Sequence, residues 1–534
     1  MSSDETDVAR LGRRLSAVVY DQFFDASPPE RRADQLRTEP KIGDCHIFDY
    51  QKFRNPRLGS EKDVERLYYD FNELNFNVHR DYKDLNKQQT LDALKLAAER
   101  SNKEHKYFVC CFLSHGKLGV LQLQNDDLEI KEILGCFSRS SCPNLKGIPK
   151  IFIFQACRGN CREDGISCFE CTEACDTIDY DPVLDIPDFL DFLLIYSTYN
   201  GAVAFRTEHG TFFIDELCRT IEQFSGDLDL LQILTVANYR VANFYLSKND
   251  MKKQMPCFTS SLTTEVKFNK KINKPFETED TKFFDNRRRE SKLGLQSLQN
   301  PLADKQTYRI QESKKIKFLL LLNTENNFES CLLQYVYILW TSIIKRNYGN
   351  ETFSNWTEEE LMDFLKEVAA RDYSNTDCLI CFVACLAKED RLCDSKGNYF
   401  QMRKIIETFT GDVCSKLRGK PKIFIFLTSA PNDKSSVCAE TTDCREDNLI
   451  PIHSDLLEVV ITVQDSNQLK AVIEKLSQIL GGEKSEDVFT QMTRMNNELV
   501  KNCGFHSLST KKATFSINST LTKILILNKP DSRS

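Results

Sequence analysis

The stretch Pro149-Lys150-Ile151-Phe152-Ile153-Phe154-Gln155-Ala156-Cys157-Arg158-Gly159 joins a short apolar run to a polar end that carries a thiol. A run so short, built of aliphatic and aromatic residues, reads as a buried strand rather than a helix. Its opening recurs verbatim as Pro421-Lys422-Ile423-Phe424-Ile425-Phe426, and both copies follow a cysteine, a leucine and a glycine in similar order.

Working upstream, Tyr107-Phe108-Val109-Cys110-Cys111-Phe112-Leu113 reads as a second buried strand, ending at Ser114-His115-Gly116, and Cys45-His46-Ile47-Phe48 as a third. Between them Val64, Leu67, Tyr68, Phe71 and Leu74 share one helical face, as do Leu91, Leu94, Ala97 and Ala98. Such alternation implies an α/β fold with a mainly parallel central sheet flanked by helices. In open sheets of this kind ligands gather at the carboxyl ends of strands, where His115 and Cys157 stand. Cys110-Cys111-Phe112-Leu113 is matched by Ile380-Cys381-Phe382-Val383, and Ser260-Ser261-Leu262-Thr263 by Asn518-Ser519-Thr520-Leu521-Thr522. Two copies of one domain fit this better than a solenoid, whose repeats are only ~20–50 residues long.

Composition sets the remaining bounds. The 534 residues, with 41% hydrophobic, 28% charged and a net charge of -7, suit two soluble domains and give no electrostatic reason to expect nucleic acid. The run Cys331 to Ile344 is shorter than the ~18 residues of a membrane span and reads as a buried helix, so no membrane partner is expected. Twenty-one cysteines, odd in number and scattered without a secretory signal, read as reduced thiols, which makes the expected location cytoplasmic. The expected organisation is a short leading segment at 1–43, a first domain at 44–268, a linker at 269–314 and a second domain at 315–528. The Arg287-Arg288-Arg289 run in that linker reads as solvated.

A thiol that hydrolyses peptides needs an imidazole for proton transfer and donors for the oxyanion formed on the scissile carbonyl. Gln155-Ala156-Cys157-Arg158-Gly159 with Ser114-His115-Gly116 upstream supplies these in the first half. On these motifs, residues 45–268 resemble a caspase catalytic domain over nearly its whole length. The resemblance implies Cys157 as nucleophile, His115 as proton-transfer residue, and the backbone amides of Gly116 and Cys157 as oxyanion donors. It also implies cleavage after aspartate, the substrate carboxylate being held by Arg57, Gln155 and Arg206, since paired guanidinium donors match a carboxylate.

Within the first domain the resemblance separates a large-subunit part, about 44–176, from a small-subunit part, about 186–268. The chain is expected to be a zymogen processed at Asp176, Asp179 or Asp185, with Asp280 as a further cut that separates the halves. Cys161, Cys168, Cys171 and Cys175 have a zinc-like spacing, but no metal or other cofactor is expected. The groove leading to the pocket departs from the family pattern at Asn200, Val203, Ala204 and Phe205, so preferences upstream of the aspartate do not carry over.

The second half lacks this chemistry. The repeat sets Cys385 and Leu386 where His115 and Gly116 stand, and Leu427, Thr428, Ser429 and Ala430 where Gln155 to Arg158 stand. A serine without an imidazole is a poor nucleophile at neutral pH. The resemblance therefore implies a cysteine endopeptidase of programmed cell death whose second domain is a catalytically dead copy, packed beside the first as a pseudo-dimer. Expected partners are proteins with exposed aspartates, the chain's own second domain, and other caspases or caspase inhibitors. The alternative is a non-catalytic adaptor or decoy that regulates other caspases. The 43 leading residues are too few for a recruitment domain of ~80–90 residues, judged against ordinary domain sizes.

Overall fold

The repeated hexapeptide is buried on both faces in each half, and this sets the layers. Ile151 and Ile153 enter one core with Val109, Leu113, Leu193 and Phe213, whereas Phe152 and Phe154 enter the opposite one with Phe108, Phe112 and Leu134. Ile423 and Ile425 join the first of these cores, and Phe424 and Phe426 enter a third with Trp356, Leu361 and Phe400. Near-continuous apolarity is what a parallel strand covered on both sides requires. The lysine opening each copy is buried too. Lys150 Nζ donates to Ile148 O (2.9 Å) and Leu145 O (3.3 Å), and Lys422 Nζ to Lys420 O (3.0 Å) and Leu417 O (3.3 Å). A cation leaves water only where acceptors replace it, so the lysine recurs because it ties each strand to the turn before it.

The computed structural model describes residues 40–54, 56–159, 163–164, 189–245, 252–268, 272, 274–290, 307–308, 310, 315–323, 329–388, 390–429, 454–481, 486–505 and 513–527. The first half runs β1 (Gly43–Asp49), α1 (Ser60–Glu73), β2 (Asn77–Lys83), α2 (Lys87–Arg100), β3 (Tyr107–Leu113), β4 (Lys150–Gln155), β5 (Phe192–Tyr196), α3 (Phe212–Phe224), α4 (Leu230–Phe244) and β6 (Cys257–Ser260). A helix, α5 (Glu279–Glu290), follows. The second half runs β7 (Ile316–Leu322), α6 (Glu329–Lys345), β8 (Gly349–Ser354), α7 (Glu358–Ala369), β9 (Cys378–Lys388), β10 (Lys422–Ser429), β11 (Leu456–Val463), α8 (Ser466–Leu480), α9 (Val488–Cys503) and β12 (Thr514–Ser519).

The strand order is β8-β7-β9-β10-β11-β12-β6-β5-β4-β3-β1-β2, so each half repeats one topology and the two meet edge to edge. Within a half all pairs are parallel except the last, β5 with β6 and β11 with β12. At the seam β6 and β12 run antiparallel, Phe258 opposite Ser519 and Ser260 opposite Ile517. Phe258 packs on Phe489 at 5.4 Å, and Asn496 Nδ2 donates to the carbonyls of Ser261 (3.0 Å) and Leu262 (3.1 Å). The α/β fold read from the sequence, and the pseudo-dimer that the resemblance implies, are thus the observed architecture.

Two expectations need correction. Residues 279–290 of the linker form α5, and within it Arg288 is not solvated: it is buried, with Nε 3.3 Å from Glu216. The helix at 329–345 is not wholly buried, since Tyr337, Ile338 and Ile344 on it are exposed while Leu332, Val336, Leu339 and Ile343 face the core. Among the described residues no helix is long and apolar enough to cross a membrane.

Candidate active site

Adjacent parallel strands deliver the two central side chains. Leu113 at the end of β3 lies opposite Gln155 at the end of β4, so His115 and Cys157, each two positions further on, leave the same edge of the sheet side by side. Ser114 N–H donates to Gln155 O at 3.1 Å, and its hydroxyl donates to Gln122 O. His115 opens a small antiparallel strand, His115–Lys117, and Phe53 sets its ring edge-on to the imidazole at 4.7 Å. A Cβ on Gly116 would lie 2.8 Å from Cys157 O and 3.1 Å from Ala156 Cβ, so only glycine lets the backbone come this close to the thiol-bearing residue.

The segment after Cys157 is tied to the one leading to Arg206. Arg158 N–H donates to Ala202 O (2.9 Å), Gly201 N–H donates to Arg158 O (3.0 Å), and Ala204 N–H points at Cys157 Sγ from 3.4 Å. The guanidinium of Arg158 is stacked 3.7 Å from the Tyr196 ring centre, so it props the loop.

Arg57 lies close enough to Arg206 and Cys157 to feel their charges, and Gln155 ends the strand that leads to Cys157. Arg57 is buried, and its Nη1 is used by Tyr50 O (3.0 Å) and Ser60 Oγ (3.0 Å), with Asp49 at 3.6 Å. Its Nε and Nη2 make no hydrogen bond to the described residues, nor do both amide atoms of Gln155 or Nε of Arg206, although all are buried. Burial lowers the Arg57 pKa to about 9, the like charge of Arg206 adding to it, and burial likewise lowers that of Arg206. Buried donors left in this state are costly, and an anion with planar, paired oxygens satisfies them.

Three positioning residues escaped the sequence reading. Asp49, at the end of β1, accepts from Ser60 Oγ at 2.5 Å and holds Arg57; its place at the same strand edge as His115 and Cys157 is the signal that could have found it. Gln254 clamps the groove, donating to Ser197 O (2.7 Å) and accepting from Phe205 N–H (2.8 Å). Asp63 accepts from Thr211 N–H (2.9 Å), and burial pushes its pKa up to about 7 against the pull of Arg206 and Arg57. Nothing in a one-dimensional pattern marks the last two.

The second half differs by one place from the sequence alignment. Pairing of Leu379 with Lys422, against Phe108 with Lys150, makes Leu386 and Ala387 the counterparts of His115 and Gly116, and Cys385 that of Ser114. Ser429 stands where Cys157 does. Cys385 is buried, and burial pushes its thiol pKa up. The groove is missing as well: β11 ends at Val463 and α8 begins at Ser466, whereas the first half places residues 197–211 between β5 and α3.

Asp176, Asp179 and Asp185 lie outside the described residues, as do Cys161, Cys168, Cys171 and Cys175. Asp280 is in the first turn of α5, its carboxylate 2.9 Å from His209 Nδ1 and 3.4 Å from Lys62 Nζ. Proteolysis favours exposed loops, so a cut there requires α5 to unwind. Among the described residues no cluster of His, Cys, Asp and Glu is arranged to hold a metal.

Comparison with known proteins agrees with this geometry. A family model described as the caspase domain matches residues 44–267 and again 325–526. The chain is 35% identical over 241 residues to caspase-7 of Gallus gallus, covering 43% of this chain and 77% of that protein. It is 32% identical over 241 residues to caspase-3 of Oryctolagus cuniculus, covering 43% of this chain and 84% of that protein.

Proposed function

The chain belongs to the caspase family, and from that premise we propose that its first half is a cysteine endopeptidase cutting proteins after aspartate, regulated by a dead second half. The observation that carries this is the group of buried, unpaired donors on Arg57, Gln155 and Arg206 beside Cys157. In the proposed reaction Cys157 Sγ attacks the scissile carbonyl while His115 takes the thiol proton. The amides of Gly116 and Cys157 donate to the oxyanion, and His115 returns the proton to the leaving amine. Water then hydrolyses the thioester, again with His115 as base, freeing Cys157. Zymogen processing within 160–185 and a role in programmed cell death follow from the family resemblance.

The test is a peptide panel varying only the residue before the cut, with full-length protein before and after processing. Hydrolysis confined to aspartate is the expected result; no hydrolysis in either state would move the reading to a non-catalytic adaptor. Ser429→Ala should leave the rate within about twofold of wild type, because no imidazole stands at the paired position; a large loss would mean that the second half reacts.

Asp63 gives the pocket a pH dependence. Its carboxyl is raised from 3.8 to about 7, so it is neutral below that point and gains a negative charge beside the two arginines above it. The KM for an aspartyl peptide should rise severalfold between about pH 6 and 8 as this charge competes with the substrate carboxylate, the scale being ~1.4 kcal/mol per pK unit. Asp63→Asn should flatten the rise; a KM profile unchanged in the variant would dismiss Asp63 as its source. Because the folded pKa is the higher one, the stability contributed by this group is complete below pH 3.8 and lost as pH passes about 7.

A further inference from the structure

Helix α5 lies between the two matched caspase spans and belongs to neither. It is nonetheless docked on the first half along its length. Arg288 reaches the buried Glu216 at 3.3 Å and lies 5.2 Å from the Phe244 ring centre. Arg219 forms an ion pair with Asp285 (Nη1 to Oδ1 2.9 Å) and donates to Thr281 O (2.9 Å), and Phe284 is buried against Phe212 and Tyr245. The amino-terminal turn of α5 then meets the hairpin that carries Arg206. Phe283 stacks on the His209 ring at 4.2 Å, and Asp280 takes its Nδ1 at 2.9 Å.

That hairpin pairs Arg206 with Thr211 and Thr207 with Gly210. On its other side it is gripped by the start of α1: a Cβ on Gly59 would lie 2.4 Å from Thr207 O, and Asp63 accepts from Thr211 N–H. His209 is thus held by the linker helix while the opposite side of the same turn abuts the residues that follow Arg57. Lys62, on α1, reaches the same Asp280 at 3.4 Å, so one carboxylate joins both flanks.

We infer that α5 is a working part of the pocket: Asp280 and Phe283 are positioning residues that fix the 206–211 hairpin, and through it Arg206, for binding the substrate carboxylate. This rests on the aspartate reading of the pocket. The linker then does more than tether the halves, because unwinding α5 or cutting after Asp280 lowers substrate affinity even while the halves remain paired.

The experiment uses full-length Phe283→Ala, the isosteric Asp280→Asn, and Phe283→Tyr, which keeps the stacked ring. The first two should raise the KM for an aspartyl peptide on the order of tenfold with kcat within about twofold, a pattern of lost substrate binding. Iodoacetamide should alkylate Cys157 at the wild-type rate in all three, and Phe283→Tyr should return KM to normal. Amide hydrogen exchange at Thr207–Thr211 should quicken in the first two variants. Unchanged exchange there, or a lowered melting temperature with KM at the wild-type value, overturns the inference. A wild-type chain that neither cleaves nor binds an aspartyl peptide aldehyde overturns the pocket reading instead, and the exchange arm still decides what α5 does.

Discussion

Cys157→Ala is expected to lower kcat/KM for an aspartyl peptide on the order of 10⁵-fold, since the variant keeps only binding and the oxyanion donors. Of the described cysteines, Cys157 and Cys503 alone are not buried, and burial pushes the thiol pKa values of Cys110 and Cys218 well up, so neither of those two takes over. His115→Ala should cost nearly as much, and the double variant little more than either single one, because the pair acts as a unit. Loss of the Sγ from a half-buried site should change stability by less than about 1 kcal/mol. Steady-state rates beside a melting curve check all of this. Wild-type turnover by folded Cys157→Ala would mean that another group is the nucleophile.

The sequence carried the fold because the same local pattern appears twice. Lys150 to Phe154 and Lys422 to Phe426 place aliphatics on one face and aromatics on the other, and the sheet order follows from repeating that unit. The placement of His115 and Cys157 at one sheet edge was legible because both follow directly on apolar strands. The register of the second half was misread by one residue because Ile380 to Val383 can be slid along Cys110 to Leu113 without loss of apolar match, whereas hydrogen bonding admits one pairing. Asp63, Gln254 and α5 were not legible for a different reason. Each acts through a contact distant in sequence, such as Asp63 with Thr211 or His209 with Asp280, and no periodicity records such a contact.

A fragment ending at Asn300 retains α5 but loses the second half, and at nanomolar concentration it should show less than about 1% of full-length activity. The reason lies at the seam. Removing β12 strips β6 of one of its two partners, and removing α9 uncovers Phe258, Leu262 and Val266, which share one core with Phe489, Met492 and Leu499. The exposed strand edge is a template for pairing with another chain, so activity should return at high concentration as fragments pair with one another. The catalytic loop feels the same loss. Arg158, Tyr199 and Asn200 line one side of a cavity whose other side is Arg403, Glu458 and Asn518 from the second half. Arg158 follows Cys157, and Tyr199 begins the segment that ends at Arg206, so the second half backs both the proposed nucleophile and the proposed pocket. Within one polypeptide the covalent connection supplies an effective concentration of roughly millimolar, enough to satisfy even weak pairing. Rate measured against fragment concentration separates the cases. A fragment fully active when dilute would show that the first half orders its own loops, and the second half would then serve to restrain or recruit.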